Sequence, residues 1–488
     1  MNGGPVVSRR LYSLAFAACC VLTPPAWSAT LTGGPMPGHA TSRTASLWLQ
    51  ADGPGELQIE YWPEGDPRVR GLSAPTRLGE ATDYSARVEL QGLRPDAFYR
   101  YAVYLDGQRV RDGADLRLRT LPARGESVPE ADFTVYLGGG ARLGDAEATG
   151  GGAILASLAA AASGEAKPNL MLWLGDGVLL SEADSESPWA MNARYRAARS
   201  LAAPQSLLRA TRHYAVWNDD YGAAGGNRAF EFKDASAALF QRYWANPGYG
   251  LAELPGTFTR FGLLDADFFL LDGRSYRASD RTVEPEGQVS WWQELKDLAI
   301  GSNQWSRLLG RRYLNGGPAW LGENKTLFGA AQLDWLKQSL IASRATFKVV
   351  VSGDPLFNDA NTGAGWQNFR GEREAFVEWL GRQGIEGVLF VSGGRRHTEL
   401  LRRERKDAYP LHELGCAPLA GPAALPEAER ENPQRVPGTL VERRNYCTLE
   451  AIGRNDGRAL RLRARDEAGR VLWERTLSAR DLKPRAAP

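Results

Sequence analysis

Four short runs of apolar, β-prone residues, each followed by glycine or aspartate, constrain the fold of this chain more than any other feature. The runs cover residues 133–137, 169–174, 347–351 and 387–391. Stretches with helical periodicity lie between or beside them, at 153–163, 332–340 and 372–383. Such runs predict buried strands whose carboxyl ends meet at one rim of a sheet, where α/β proteins usually place a site. We therefore predict an α/β layered domain from residue 131 to residue 488.

A different pattern precedes that domain. Alternating segments at 45–50, 56–61, 84–90 and 98–104 are separated by turns rich in Gly, Pro and Asp. Short strands at this spacing predict a small all-β, fibronectin-like sandwich over residues 30–122. The polar stretch 123–130 marks the boundary between the two domains. Two further alternating segments, 459–464 and 470–476, are expected to be the closing strands of the α/β domain.

Composition excludes several classes of partner. The chain has 488 residues, of which 43% are hydrophobic and 24% charged, enough to bury a large core in more than one domain. Its 59 basic and 57 acidic residues leave a net charge of +2, so no global field attracts nucleic acid or an anionic membrane. After the amino-terminal segment, no apolar stretch is long enough to span a bilayer.

The amino terminus has the pattern of a secretory signal peptide over residues 1–29. Arg9 and Arg10 precede an apolar segment, 11–22, and Ala26 and Ser28 fit a small-x-small cleavage site. A lipoprotein signal ending at Cys19 is the alternative, which the apolar residues after Cys19 disfavour. The pattern predicts a periplasmic or secreted protein.

Two of the four cysteines, Cys19 and Cys20, would leave with the signal peptide, so Cys416 and Cys447 remain. In an oxidising compartment two cysteines are more often paired than free, and we predict a disulfide between them. Two buried, unpaired thiols are the alternative.

An ordered set of motifs runs along the rest of the chain. They are Trp-Leu-Gly-Asp at 173–176, Arg-Tyr-Arg at 194–196, His-Tyr-Ala-Val-Trp-Asn-Asp at 213–219, the segment 239–247, Leu-Asp-Gly-Arg-Ser-Tyr-Arg at 271–277, the segment 327–336, and Arg-His-Thr-Glu-Leu at 396–400. In this order the chain resembles the alkaline phosphatase D family, the PhoD-like metallophosphoesterases. The resemblance implies a layered metallophosphoesterase fold. It also implies hydrolysis of phosphomonoesters and phosphodiesters by a centre of iron and calcium ions that supplies a metal-bound hydroxide.

The residues that would hold this centre depart from the family pattern. Asp176 and Asp219 match two carboxylates of the family, whereas the tyrosine position of the Gly-Asp-x-x-Tyr motif is Leu179. Gly140 stands where the family has the cysteine of Gly-Ser-Cys. The loop 217–222 is one residue shorter than Trp-Asp-Asp-His-Asp-Tyr-Gly and lacks its histidine. In the last motif, Ser-Gly-Asp-x-His, the ligand positions hold glycine and arginine, at 394 and 396.

Too few ligands remain to hold three cations, so we interpret the chain as a pseudoenzyme with no assigned catalytic residue, no iron and no predicted cofactor. The resemblance puts Arg396 where a metal ligand belongs, and two cationic centres would repel each other there. Arg395 and Arg396 are the predicted binding groups for a small anionic or phosphorylated ligand.

Two alternatives stay open. One is a residual phosphomonoesterase or phosphodiesterase that uses calcium or magnesium, with Asp176 and Asp219 as metal ligands and further candidates at Asp220, Asp354 and His397. The other is a cell-envelope interaction module in which the sandwich is the working part.

Each candidate also has a structural interpretation. The aspartates can be turn formers, Arg274 a buried ion-pair residue, His397 a partly buried polar residue, and the arginines around 395–406 a solvated face.

Overall fold

The computed structural model describes residues 29–123, 130–145, 150–222, 226–278, 325–361 and 363–484. Nearly all of the predicted signal peptide, 1–29, lies outside these residues, so it remains a prediction. The same holds for most of the segment 277–327, whose glycine, proline and charged residues predict a surface excursion beside the site. In the part of the chain that is described, no helix is long and apolar enough to cross a membrane.

The amino-terminal domain consists of two antiparallel sheets, as the alternating segments predict. One sheet has the order β1-β2-β6, and the other has the order β4-β3-β7-β8 with β5 added to β3 and β9 added to β7. The strands are β1 (Leu31–Ala40), β2 (Ala45–Ala51), β3 (Gly55–Pro63), β4 (Gly71–Leu72), β5 (Thr76–Leu78), β6 (Ser85–Leu90), β7 (Phe98–Leu105), β8 (Gln108–Arg111) and β9 (Arg117–Arg119). Alternate residues such as Leu47, Ile59 and Val103 fill one apolar core between the sheets.

The larger domain contains two mixed six-stranded sheets. The first has the order β12-β11-β10-β19-β20-β21 and the second has the order β13-β14-β15-β16-β18-β17. Their strands are β10 (Phe133–Gly138), β11 (Asn169–Leu174), β12 (Arg212–Val216), β13 (Thr259–Leu263), β14 (Ala266–Leu270), β15 (Phe347–Ser352), β16 (Val388–Ser392), β17 (Glu399–Arg403), β18 (Leu411–Gly415), β19 (Tyr446–Ile452), β20 (Ala459–Arg465) and β21 (Val471–Ser478). The four apolar runs form β10, β11, β15 and β16, and the two predicted closing segments form β20 and β21.

In the part of the chain that the structure describes, six helices cover these sheets: α1 (Gly152–Gly164), α2 (Pro188–Ser200), α3 (Gln205–Ala210), α4 (Lys233–Tyr243), α5 (Ala330–Ala342) and α6 (Arg370–Arg382). One face of β10 and β11, including Val135 and Leu172, packs against the second sheet in a core that also takes in α5 and α6. The opposite face, including Trp173, packs against α1 to α4. Both faces are therefore buried, which explains why the runs are apolar throughout instead of alternating.

The two sheets meet closely at the rim formed by their strand ends. A Cβ atom on Gly393, after β16, would lie 1.8 Å from the carbonyl oxygen of Leu174 at the end of β11. A Cβ atom on Gly353, after β15, would lie 2.0 Å from the carbonyl oxygen of Trp217. Only glycine permits such backbone contact, so the glycines that close the apolar runs bring the sheet ends together.

The predicted disulfide between Cys416 and Cys447 is present, and their Cα atoms lie 6.2 Å apart. It closes most of the segment 414–444, whose glycine, proline and charged residues predict a surface excursion beside the site. That expectation is only partly correct, because Leu419, Glu429 and Asn432 in this segment are buried. The segment therefore contributes to the interior next to β17 as well as to the surface.

The two domains share an extensive contact. Trp48 of β2 donates from Nε1 to the carbonyl oxygen of Arg242 at 2.8 Å, and Tyr243 donates to Asp83 Oδ2 at 2.6 Å. Arg199 of α2 lies over the rings of both Trp48 and Trp244. Because these side chains are almost all buried, the sandwich is attached firmly to the helical layer of the larger domain.

Candidate functional site

Asp176 lies at this rim, just after the end of β11. Its backbone lies in the left-handed region, with φ of 54°, and its side chain is partly exposed. Asp176 Oδ1 accepts a hydrogen bond from the backbone N–H of Asp219, 3.1 Å away, in the loop after β12. This hydrogen bond joins the two loops that carry the family's matching carboxylates.

Asp220 lies beside them but is buried. Its Oδ2 accepts a hydrogen bond from the Gly177 N–H at 3.1 Å, whereas its Oδ1 has no hydrogen-bond partner. Burial raises the pKa of Asp220 above the usual range of a carboxyl group. Burial and the nearby charges of Asp219 and Asp220 raise the pKa of Asp176 as well. The carboxyl groups of Asp176 and Asp220 therefore have too little positive charge beside them.

Arg274 supplies positive charge on the other side. It follows β14, is fully buried, and donates from Nη1 to Asp354 Oδ2 at 2.6 Å. Its Nη2 lies 3.4 Å from Asp219 Oδ1, and its Nε donates to the carbonyl oxygen of Asn218 at 3.1 Å. One guanidinium thus ties together the loops after β12, β14 and β15 and neutralises two of the candidate carboxylates.

The candidate ligands of the residual-hydrolase alternative do not form one compact group. Among the described residues, only His397, Glu399 and Glu429 form a set of three or more His, Cys, Asp or Glu side chains whose ligand atoms all lie within 4.8 Å of one another. Asp176, Asp219, Asp220 and Asp354 are not part of such a set. His397, which the alternative adds to them, belongs to a different cluster.

The glycine at position 394 leaves no room for the family's carboxylate. Gly394 has φ of 68°, and a Cβ atom there would lie 2.7 Å from both Asn218 Nδ2 and the Gly353 carbonyl oxygen. Asn218 also donates from Nδ2 to that same carbonyl at 3.0 Å. The amide of Asn218 therefore occupies the space next to Gly394.

The two other substituted positions also lack donor atoms. Gly140 is a positive-φ residue after β10, and its N–H donates to the Gly175 carbonyl oxygen at 3.1 Å. Leu179 lies in the loop after β11, is partly exposed and has an alkyl side chain. Neither residue offers a thiolate or a phenolate to a metal ion.

The two predicted anion-binding arginines differ from each other. Arg395 is half-buried, with its Nη2 in an ion pair with Glu429, and burial lowers its pKa to about 10. Arg396 is exposed and has no ion-pair partner among the described residues. Its backbone carbonyl accepts a hydrogen bond from Ala424 in the segment closed by the disulfide.

His397 is fully buried, whereas the structural interpretation expects it to be only partly buried. Its Nε2 lies 3.5 Å from Glu399 Oε1 and 3.7 Å from Glu429 Oε2. No sequence pattern indicated Glu429, which is 32 residues from His397 in the chain. His397 and Glu399 are two residues apart in the sequence, just before and at the start of β17, and this short spacing could have indicated their contact.

Comparison with known proteins fits this architecture. A model of the PhoD-like phosphatase family matches residues 257–460. This chain therefore contains a PhoD-like phosphatase domain over those residues. A second model, for a domain of unknown function called DUF7800, matches residues 28–122, the region of the sandwich.

Solved structures show that the PhoD-like fold extends beyond the matched segment. A structure described as "Structure of PhoD" superposes with a TM-score of 0.63 at 17% identity, covering 93% of each chain. The sensor domain of the anti-sigma factor RsgI4 of Pseudobacteroides cellulosolvens matches 21% of this chain at 13% identity, with a TM-score of only 0.18. No curated relative matches the sequence.

The residues of this PhoD-like rim do not fit the iron and calcium centre that the family resemblance implies. Such a centre needs several anionic or imidazole ligands that converge on one point. Here Gly140, Leu179 and Gly394 offer none, the space beside Gly394 holds an amide, and Arg274 is paired with two of the carboxylates.

Proposed function

We propose that this protein is a pseudophosphatase, a PhoD-like protein that keeps the fold of the family without its catalytic metal centre. The observation that carries this proposal is the packing at Gly394. A ligand side chain at this position would overlap the Asn218 amide and the Gly353 carbonyl, so the change from carboxylate to glycine is matched by its surroundings. If only the residue at position 394 had changed, an empty space would remain where the carboxylate side chain had been.

Arg274 supports the same proposal. A buried carboxylate needs a partner of opposite charge, and in a metalloenzyme the metal ion supplies it. In this protein the guanidinium of Arg274 lies 2.6 Å from Asp354 and 3.4 Å from Asp219. Asp354 and Asp219 can therefore persist in the rim without a metal ion to neutralise them.

The proposed location is outside the cytoplasm. The amino-terminal pattern of a signal peptide and the disulfide between Cys416 and Cys447 both favour an oxidising compartment such as the periplasm. The proposed mature protein begins with a fibronectin-like sandwich that is attached to the larger domain through Trp48 and Asp83. This attachment favours a structural role for the sandwich over an independent binding role.

The proposed ligand of the retained pocket is a small anionic or phosphorylated molecule. Of the two predicted arginines, Arg395 is engaged by Glu429, so Arg396 is the residue available to an anion. A guanidinium forms two parallel hydrogen bonds to phosphate, which suits this role. Binding of inorganic phosphate, measured by calorimetry, should weaken in Arg396→Gln and persist in Arg402→Gln, an arginine paired with Glu404. Equal binding by both variants would contradict the role of Arg396.

The test of the proposed loss of catalysis is hydrolysis of bis-(p-nitrophenyl) phosphate by the purified mature chain. With iron and calcium supplied, its turnover should not exceed that of the Asp176→Ala variant. Turnover above that variant would support the residual-hydrolase alternative.

A further inference from the structure

A second cluster of ionisable side chains lies beyond the rim, where β17 begins. The side chain of His397 is fully buried, and neither ring nitrogen has a hydrogen-bond partner among the residues that the structure describes. Its Nε2 is aimed between two buried carboxylates, 3.5 Å from Glu399 and 3.7 Å from Glu429. A buried imidazole with both nitrogens unpartnered is costly, so this position requires an explanation.

The two carboxylates are held by other groups. Asn358 donates from Nδ2 to Glu399 Oε1 at 3.0 Å and to Glu429 Oε2 at 2.7 Å, the same oxygens that face His397. The opposite oxygen of Glu399 accepts from Arg435 Nε at 2.7 Å, and that of Glu429 pairs with Arg395. A carboxylate oxygen that accepts one hydrogen bond retains a second lone pair, so both facing oxygens can still bind a cation.

We propose that His397, Glu399 and Glu429 form a binding site for a divalent transition-metal ion of the Zn²⁺ class, and that the ion competes with Arg395 for Glu429. One imidazole and two carboxylates are a usual ligand set for such ions. Tetrahedral ligands at bonds of about 2.1 Å stand roughly 3.4 Å apart, close to the two separations from His397. All three ligand atoms lie within 4.8 Å of one another.

The two arginines of the cluster are not equally fixed. Arg435 donates to Glu399 and also to the backbone carbonyls of Glu429, at 2.5 Å, and Arg430, at 2.8 Å. Arg395 contacts the cluster through Glu429, its Nε has no hydrogen-bond partner in the described part of the chain, and its side chain is 14% exposed. Arg395 is therefore the group that can move toward solvent when a metal ion enters, which would remove one positive charge from the site.

This site is independent of the proposed pseudophosphatase function, because its ligands lie outside the set of rim aspartates. Glu429 reaches His397 from the segment closed by the disulfide, and Glu399 lies on β17. A metal ion here would hold that segment against the second sheet.

Calorimetric titration of the EDTA-treated mature chain with Zn²⁺ tests the proposal. We expect one equivalent to bind, with affinity at least tenfold weaker in His397→Gln and in Glu429→Gln and at least tenfold stronger in Arg395→Gln. His412→Gln is the matched control, since His412 is also buried with an unpartnered Nδ1, and should leave binding unchanged. Circular dichroism of each variant verifies folding.

Absence of Zn²⁺ binding in both the wild type and Arg395→Gln would overturn the proposal. Binding that survives in both ligand variants would overturn it too. Binding that is lost in Asp176→Asn but kept in His397→Gln would assign the ion to the rim instead, and would count against the pseudophosphatase proposal as well.

Discussion

Arg274 Nη1 lies 2.6 Å from Asp354 Oδ2, and each of these two side chains is only 1% exposed. The ion pair joins the loop after β14 to the loop after β15 in the middle of the rim. Removing either side chain would be destabilising, because the other charge would then be buried without a partner.

Replacing Arg274 with methionine should therefore destabilise the protein strongly. We expect a loss of about 3 to 5 kcal/mol in the free energy of unfolding, measured by urea denaturation, because Asp354 would be left unpaired. The double variant Arg274→Met, Asp354→Asn should recover part of the loss, since the second change removes the stranded charge. A double variant as unstable as the single one would show that the ion pair is not the cause.

A carboxylate restored at Gly394 should not restore a metal site. Gly394→Asp introduces a side chain at a φ of 68° into space held by Asn218 and Gly353, so we expect a fall in melting temperature and no phosphatase activity. Gly384→Asp is the matched control, because Gly384 has φ of 60° but no atom within 4 Å of an added Cβ. The melting temperature should fall further for Gly394→Asp than for the control. Equal shifts would mean that backbone strain alone accounts for the effect.

Much of this fold follows from local sequence patterns. The apolar runs predict β10, β11, β15 and β16 because buried strands need continuous apolar residues. The alternation of apolar and polar residues in the sandwich and in β20 and β21 predicts those strands, because successive side chains of a strand point to opposite faces and one face is buried. The disulfide was predictable because only two cysteines follow the signal segment.

The contacts within the candidate site could not be predicted as well from the sequence. Arg274 and Asp354 are 80 residues apart, and no local pattern indicates that their side chains meet. The same is true of His397 and Glu429, because the disulfide-closed segment between β18 and β19 folds back into the interior. Such pairings are set by how the sheets and loops pack, which a periodic pattern does not encode.

Removing the disulfide should destabilise the protein measurably. The cross-link spans 31 residues, so the chain-entropy argument gives about 3 to 4 kcal/mol of stabilisation. Urea unfolding of Cys416→Ser, Cys447→Ser should show this loss relative to the wild type. If added reductant lowers the stability of the wild type but not of the double variant, the loss belongs to the bond and not to the two substitutions.

Stability should also fall in mild acid because of buried histidines. Burial lowers the pKa of His213 from 6.5 to about 3, and the pKa values of His39 and His412 to about 4. Between pH 6.5 and these values the unfolded chain binds protons that the folded chain does not, so stability present above pH 6.5 is lost as the pH falls. At pH 4.5 His213 alone should cost about 2 to 3 kcal/mol.

The pH dependence of the unfolding free energy measures this effect. Its slope between pH 6.5 and 4.5 should be shallower in His213→Gln than in the wild type, whatever the absolute stability of the variant. Parallel slopes would show that His213 does not contribute.

The central claim, loss of the family's metal centre, is tested most directly by elemental analysis of the purified mature chain together with its turnover of an aryl phosphodiester. We predict no stoichiometric iron and no activity above the Asp176→Ala variant. Zinc that depends on His397 would be compatible with this account. Tightly held iron, accompanied by turnover that Asp176→Ala abolishes, would contradict it.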